Sequence, residues 1–169
     1  MSQTVTAKWV FDESTMSRGR YWHWRKSPWI WGMTTAVGCI LIIPGVLMLL
    51  RGTGIQPLPL FFIILGMYGI CRYWIVGIRF RKLIRKNPQF GNTLSMAFSD
   101  TGFAGTGKGS EMTSEWSALY ETATTPDGFL LYPQKEIFYW VPRSGFASEA
   151  DARFVADHLQ EKTKNKTIG

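Results

Sequence analysis

Two long apolar runs dominate the hydrophobic pattern in the first half of the chain. Residues 29–50 carry no charged side chain, residues 52–71 carry none either, and only Arg51 lies between them. A helix rises about 1.5 Å per residue, so each run matches the roughly 30 Å hydrocarbon core of a bilayer. The pattern predicts two transmembrane helices, residues 28–50 and 58–77, joined by a turn too short to fold by itself.

A different pattern, with alternating apolar and polar residues, marks both sides of these runs. Residues 3–11 alternate, which predicts a strand with one apolar face. After residue 92 come short strands, at residues 93–99, 103–106, 129–133 and 137–141, separated by turn signals such as Pro126-Asp127-Gly128. These segments predict a small antiparallel sheet. The N-terminal strand cannot bury its apolar face alone, so we expect it to join this sheet.

The remaining segments are predicted as helix or tail. Ser148 is a typical N-cap, and the apolar residues that follow predict a helix to about Lys162. Residues 12–26 mix basic and aromatic side chains, which suggests a short helix running onto the membrane surface. Residues 163–169 are basic and are predicted to be a frayed tail.

Together these elements predict an α+β membrane protein, in which a two-helix transmembrane hairpin precedes a small cytoplasmic antiparallel sheet closed by a C-terminal helix. The chain divides into five predicted segments. They are an N-terminal strand and interfacial segment (1–27), the hairpin (28–77), a basic juxtamembrane linker (78–91), the cytoplasmic domain (92–162) and a basic tail (163–169).

Charge sets the predicted orientation. The net charge is +7, and the basic residues flank the two runs, while Arg51 alone lies in the connection. The positive-inside rule then places both termini in the cytoplasm. A basic protein can also bind nucleic acid, but charges that flank two spans favour topology and anionic headgroups. No nucleic-acid partner is predicted.

Aromatic and basic side chains near the predicted membrane edges form two candidate lipid-contact sets. The predicted interface residues are Trp22, Trp24, Trp29, Trp31, Tyr73 and Trp74. The predicted anionic-lipid contacts are Arg79, Arg81, Lys82, Arg85 and Lys86. The alternatives are a cation–π cage for a quaternary ammonium headgroup and a topology anchor without lipid specificity.

Motifs with chemistry are weak in this sequence. Residues 102–109 nearly spell a phosphate-binding loop, but Gly109 occupies the position of the Mg²⁺-binding hydroxyl, and no apolar helix follows. A hairpin loop is the favoured interpretation. His23 and His158 lack ligand-type neighbours at metal spacing, and Cys39 and Cys71 each lie in an apolar run. We therefore predict no catalytic residue, metal or cofactor, with a lipid-modifying enzyme as the disfavoured alternative.

Three segments of the second half carry a family resemblance. They are Trp116-Ser117-Ala118-Leu119-Tyr120-Glu121, Asp127-Gly128-Phe129-Leu130-Leu131-Tyr132 and Val141-Pro142-Arg143-Ser144-Gly145-Phe146. This part of the chain resembles the YcxB-like family of bacterial membrane proteins. The resemblance implies a two-span hairpin followed by a pleckstrin-homology-like sheet-plus-helix domain, in a bacterial inner membrane. It implies no activity, so no functional residue carries over.

The function expected from these features is binding without catalysis. The predicted protein is multi-pass, with membrane lipids around its spans and a protein or lipid partner at its cytoplasmic domain; a homo-oligomer is left open. The alternative is a membrane-resident immunity protein that neutralises a toxin acting on the inner membrane.

Overall fold

The computed structural model describes residues 4–51 and 57–168, which form two compact units. The sheet unit comprises the chain up to Lys26 and from Leu83 onward, and the helical unit comprises Ser27–Lys82. The helices described are α1 (Glu13–Arg25), α2 (Pro28–Leu50), α3 (Pro57–Arg85) and α4 (Glu149–Lys162). The strands are β1 (Val5–Val10), β2 (Thr93–Phe98), β3 (Gly102–Gly107), β4 (Ser110–Glu115), β5 (Glu121–Thr125), β6 (Gly128–Gln134), β7 (Ile137–Pro142) and β8 (Asn165–Thr167).

The sheet unit contains two four-stranded sheets instead of the one predicted. The first has the order β1-β2-β3-β4 and is antiparallel throughout, and the second has the order β7-β6-β5-β8. The N-terminal strand pairs with β2, from Val5 opposite Phe98 to Val10 opposite Thr93. The prediction that this strand joins the sheet is therefore confirmed. The helical unit is inserted between α1 and β2.

One apolar core lies between the inner faces of the two sheets and α4. Ala7, Phe98 and Leu131 contribute from the strands, and Val155 and Leu159 contribute from α4; each is completely or almost completely buried. Burying each large apolar side chain stabilises the fold by roughly 1.5–3 kcal/mol. The predicted N-cap is confirmed, because the Ser148 hydroxyl accepts a hydrogen bond from the backbone N–H of Asp151 at 3.1 Å.

Residues 163–168 of the C-terminal tail are ordered, so the prediction of a frayed tail is wrong for them. Strand β8 pairs in parallel with β5, and Ile168 is buried against the second apolar cluster of the unit. The Thr122 and Thr163 hydroxyls lie 2.6 Å apart and hold the strand at its start. Two lysines in a short polar tail suggest disorder, but the apolar side chain of Ile168 and the open edge of β5 supply the contacts that order it.

Helix α1 also differs from its prediction. It lies on the second sheet, in contact with β6 and β7, and its inner face buries Gly19 and Trp22. A Cβ on Gly19 would lie 2.6 Å from Cγ of Trp140, so only glycine permits this approach. The mixed aromatic and basic composition of α1 serves packing on this face, not only the membrane contact expected from the sequence.

In the helical unit, α2 has the predicted bounds, and α3 is longer than predicted. Helix α3 continues eight residues past Gly77, to Arg85, and ends before Asn87-Pro88, as the residue before proline disfavours helix. Its segments Pro57–Arg72 and Trp74–Arg85 are inclined by 50°. Residues Gly32–Leu50 of α2 are long and apolar enough to cross a membrane. Helix α3 is long and apolar enough only if its two inclined segments are taken together as one span.

Glycines allow α2 and α3 to pack closely in antiparallel fashion. A Cβ on Gly66 would lie 2.6 Å from the Gly38 carbonyl oxygen, and one on Gly45 would lie 2.9 Å from the Pro59 carbonyl oxygen. Small residues at such contacts let two backbones approach, which is how helices associate within lipid.

Candidate functional site

The sheet unit contains an apolar cleft of about 220 Å³ between its first sheet, β7 and α1. We call it the indole cleft, because two tryptophans from different strands line it. Its lining residues are Trp9, Phe11, Met16, Gln89, Leu94, Ser95, Met96, Gly105, Thr106, Gly107, Ser110, Met112, Phe138, Tyr139 and Trp140. None of these side chains is charged, so the cleft suits an apolar, uncharged surface.

Pairing across the first sheet explains the floor of the indole cleft. Met96 on β2 lies opposite Gly105 on β3, which lies opposite Met112 on β4. Gly105 and Gly107 present no side chain to this face, and their neighbours occupy part of the space. A Cβ on Gly105 would meet Cγ of Met112 at 2.9 Å. Methionine is flexible and adapts to irregular apolar surfaces, so the floor can change shape at small cost.

Two tryptophans that line the indole cleft each have a buried hydrogen-bond donor without an acceptor. The indole Nε1 atoms of Trp9 and Trp140 are buried without a partner among the described residues. Trp9 is 9% exposed and Trp140 is 2% exposed. By contrast, the Nε1 atom of buried Trp116 donates to the Ser99 carbonyl oxygen at 3.0 Å. An unpaired buried donor costs about 1–3 kcal/mol, so two at one cleft require an explanation.

Helix α1 closes one side of the sheet unit through three polar contacts. The Trp22 Nε1 donates to Oδ2 of Asp127 at 2.9 Å, and Nδ1 of His23 lies 3.0 Å from the Tyr132 hydroxyl. The Lys26 ammonium lies 2.5 Å from the Glu121 carboxylate and 4.1 Å from the centre of the Tyr132 ring. These contacts join α1 to residues about a hundred positions later in the chain.

Burial shifts the pKa values of two side chains in these α1 contacts, His23 and Tyr132. Burial, followed by the nearby Lys26 ammonium, lowers the pKa of His23, while Glu136 opposes the change. Burial also raises the pKa of Tyr132 well above its usual value, with a smaller contribution from the Glu121 carboxylate. His23 also stacks on the Phe138 ring at 4.8 Å. The neutral forms of both side chains therefore stabilise the docked helix.

The predicted interface residues fall into different environments. Trp22 is buried at 7% exposure within the sheet unit, so we remove it from the interfacial set. Trp24 is half-buried under the guanidinium of Arg20, 4.4 Å from its ring centre. Trp29 and Trp74 are 74% and 67% exposed. The side chains of Trp31 and Tyr73 lie outside the described part of the structure.

All five predicted anionic-lipid contacts have exposed side chains. Four of these residues lie within α3, namely Arg79, Arg81, Lys82 and Arg85, and the fifth, Lys86, follows directly after the helix. At about 100° per residue these side chains share one side of the helix, and Phe80 and Ile84 occupy the other. Arg85 also forms an ion pair with Glu13, with its Nη2 2.7 Å from the carboxylate.

The remaining sequence candidates have structural roles. The glycine-rich segment 102–109 forms β3 and its turn to β4, with Gly107 opposite Ser110, so the hairpin interpretation is confirmed. In His158, Nε2 lies 3.3 Å from the Asp100 carboxylate, and Nδ1 faces the Phe154 carbonyl oxygen at 2.9 Å. Residues 4–51 and 57–168 contain no group of three or more acidic, histidine or cysteine side chains placed to hold a metal ion.

The fold and cleft define a class: a small α+β domain of two facing sheets and a closing helix, with an apolar helical insertion. Residues 98–159 match the model of the family described as YcxB-like protein. The matched segment, which extends from the end of β2 into α4, is therefore similar to that family. No curated protein and no solved structure gives a significant match to the chain. Sequence reasoning missed the cleft, because Trp9 and Trp140 come to line one cleft only through the two-sheet arrangement.

Proposed function

We propose that this chain is a non-enzymatic integral membrane protein whose YcxB-like domain binds a partner at the membrane surface. The proposal rests on the length and apolar exposure of α2. Its 19-residue segment Gly32–Leu50 is strongly apolar, and only 11% of its apolar stretch is buried. Water-exposed apolar surface of this length is unfavourable, whereas a bilayer solvates it.

A second span supports a multi-pass arrangement. Helix α3 packs on α2 through Gly38, Gly45, Gly66 and Gly69, and its apolar part is long enough to cross a bilayer with a bend. In this proposal the two helices form a transmembrane hairpin in a bacterial inner membrane. The basic residues flank the hairpin, which orients both termini and the sheet unit to the cytoplasm.

The basic side of α3 supports contact with anionic lipid. Each exposed Lys or Arg near a negatively charged leaflet contributes about 1 kcal/mol, and five on one helical face act together. Ile84 on the opposite side of this segment is buried at 4% exposure, so the basic side is the one left open to headgroups.

The outer edge of β4 supports protein binding. It is an edge strand of the first sheet, and its Glu111, Thr113 and Glu115 are exposed. An open edge can accept an additional strand through backbone hydrogen bonds. The histidines form structural contacts with Tyr132 and Asp100, which favours binding over catalysis as the role. The pleckstrin-homology-like comparison rests on the sheet-plus-helix order alone.

Cysteine labelling tests the membrane part. In intact membrane vesicles, a membrane-impermeant maleimide should leave Cys39 and Cys71 unlabelled until detergent is added. Ser110→Cys, exposed at the start of β4, provides the accessible control in inside-out vesicles. Rapid labelling of either native cysteine in intact vesicles would contradict the spans.

Affinity capture tests the partner part. The tagged full chain is captured in nanodiscs from its own cells, and bound proteins and lipids are identified by mass spectrometry. A stoichiometric protein that is lost in Glu111→Arg/Glu115→Arg but retained in Glu136→Arg supports binding at β4. A toxin as that protein would identify the immunity alternative.

The lipid arm of the same capture compares two double variants with equal change in charge. Enrichment of one anionic lipid, lost in Arg81→Gln/Lys82→Gln but retained in Lys108→Gln/Lys135→Gln, supports the basic face of α3. Both pairs remove two positive charges, so a difference reports position and not net charge. Capture of neither protein nor specific lipid in any variant would contradict the proposal.

A further inference from the structure

We propose that the outer edge of β4 and the adjoining margin of the indole cleft form one docking surface for an added strand of a basic partner protein. That strand carries lysine or arginine at two positions four residues apart, and apolar side chains on its opposite face. This surface is the protein-binding edge proposed above, so its assignment rests on that proposed function.

The hydrogen-bond pattern of the first sheet shows which backbone groups of β4 are open. The backbone N–H of Trp116, directly after β4, donates to the Thr101 carbonyl oxygen at 3.4 Å, and β3 and β4 pair in continuous register along their whole length. Antiparallel residues bond alternately to one neighbour and to the other. The N–H and C=O groups of Glu111, Thr113 and Glu115 therefore point away from β3, along the edge of the sheet.

Strand β4 lacks most of the features that close a strand edge. It contains no proline, its pairing with β3 has no bulge, and the side chains on its inner face, Ser110, Met112 and Ser114, are uncharged. Edges that avoid pairing usually carry such features or are covered by another element. Among the strands that the structure describes, only β3 pairs with β4. The edge can therefore accept a further strand.

Two carboxylates on the outer face determine the charge of the incoming strand. Glu111 and Glu115 are exposed, on either side of Thr113. They lie opposite Thr106 and Gly102 of β3, and neither forms an ion pair within residues 4–51 and 57–168. A residue directly opposite on an added strand has its Cβ atom about 4.5–5.5 Å away, where opposite charges stabilise the pair. Lysine or arginine is therefore favoured at two positions four residues apart.

The indole cleft determines the side chains on the other face of the added strand. Met112 and Ser110 line the cleft from the inner face of β4, and Met112 is half-exposed. Residues opposite these two lie close to them, because pairs without backbone hydrogen bonds have Cα atoms only about 4.5 Å apart. The flexible Met112 side chain can move to admit a neighbour. Since no lining residue is charged, apolar side chains are favoured at these positions.

A second copy of this chain fits the edge poorly. The two-fold arrangement that pairs all three outward-pointing residues places Thr113 opposite its own copy. Glu111 then lies opposite Glu115 of the second copy, twice in each dimer. Like charges directly opposite one another destabilise a strand pair, so the observations favour a different, basic chain.

A displayed library of random nonapeptides tests this specificity, with the full chain in nanodiscs of neutral lipid as bait and empty nanodiscs for depletion. We expect enriched peptides to carry two basic residues four positions apart, with an apolar residue at the first or third position between them. Glu111→Arg/Glu115→Arg should instead enrich acidic residues at this spacing. Asp157→Arg/Glu161→Arg makes the same change in charge at exposed positions of α4 and should keep the basic preference.

The affinity of an enriched peptide tests strand addition itself. The peptide should bind Glu111→Arg/Glu115→Arg about tenfold more weakly than the unmodified chain, because two favourable charge pairs become unfavourable. Thr113→Pro removes an N–H that is not bonded to β3, so the fold should tolerate it, yet binding should be lost; Thr113→Val is the control. N-methylation of the peptide should block binding only at alternate residues, because every second N–H of a paired strand points to its neighbour.

Several results would overturn the proposal. They are no enriched peptide, a preference unchanged by Glu111→Arg/Glu115→Arg, and binding that survives Thr113→Pro. A dimer of the unmodified chain that Thr113→Pro dissociates would assign the edge to a second copy instead. Failure of the proposed function is a separate outcome: a protein captured from cells and unaffected by Thr113→Pro would keep a binding role but not strand addition at β4.

Discussion

The indole N–H of Trp22 on α1 donates a 2.9 Å hydrogen bond to Oδ2 of Asp127, in the turn between β5 and β6, across 105 positions of sequence. This contact joins the segment before the helical insertion to the segment after it that matches the YcxB-like family model. We expect Trp22→Phe to lower the free energy of unfolding of the sheet unit by about 1–3 kcal/mol, because the partly buried Asp127 loses its donor. Urea unfolding followed by near-ultraviolet circular dichroism measures it.

A double-mutant cycle separates this hydrogen bond from loss of indole packing. In the Asp127→Ala background, Trp22→Phe should have a smaller effect than in the unmodified chain. Strictly additive effects of the two substitutions would show that the contact contributes nothing to stability.

The histidine on α1 should make the sheet unit less stable in acid. Burial lowers the pKa of His23 in the folded protein, so the unfolded chain binds the proton more readily. The stabilising contribution is therefore complete above the ordinary histidine pKa of about 6.5 and is lost as the pH falls below it. The groups around His23 are Lys26, Tyr132 and Glu136.

Melting temperatures measured between pH 7.5 and pH 5.5 check this dependence. These two pH values lie about one unit above and below the ordinary histidine pKa. We expect His23→Gln to reduce the decline in stability on acidification, and His158→Gln serves as the histidine control from another face of the unit. An unchanged decline in His23→Gln would exclude His23 as its source.

The three buried tryptophans should respond differently to removal of the indole nitrogen. Trp9→Phe and Trp140→Phe remove a donor without an acceptor, whereas Trp116→Phe leaves the Ser99 carbonyl oxygen unpaired. All three lose similar volume. Trp116→Phe should therefore be more destabilising than the other two by about 1–2 kcal/mol in urea unfolding. Equal losses would mean that the indoles of Trp9 and Trp140 are hydrogen-bonded in solution.

The C-terminal strand should contribute to stability through one side chain. Ile168→Ala should lower the free energy of unfolding by about 2–4 kcal/mol, because Ile168 is buried beside β5. Lys166→Ala, on the same strand but exposed, should change it by less than about 0.5 kcal/mol. A frayed tail in solution would give two equally small effects.

Close packing of α2 on α3 should depend on Gly66. A Cβ there would lie 2.5 Å from Cγ1 of Ile42 and 2.6 Å from the Gly38 carbonyl oxygen, whereas a Cβ on Gly32 meets nothing within 4 Å. Gly66→Ala should therefore lower the melting temperature in micelles, and Gly32→Ala should leave it unchanged or raise it slightly. A neutral Gly66→Ala would show that the two helices do not pack this way in solution.

Much of the local structure was predictable from the sequence, because the spacing of apolar residues and the residues at the ends of each helix or strand determine it. The bounds of α2, the Ser148 cap and the β3–β4 turn follow from apolar runs, a hydroxyl side chain and glycine. Alternation also indicated that β1 needed a partner. The candidate site was not predictable in the same way, and the lipid-contact residues other than Trp22 stay predictions.

The sequence by itself therefore determined the apolar helical insertion, the strand-rich flanks and the YcxB-like segment. Only the tertiary structure decided that there are two sheets, that Trp22 points inward, that Ile168 anchors a strand, and that Trp9 and Trp140 share a cleft. The physical reason is that periodicity identifies which face of an element is apolar, whereas long-range packing decides which faces meet.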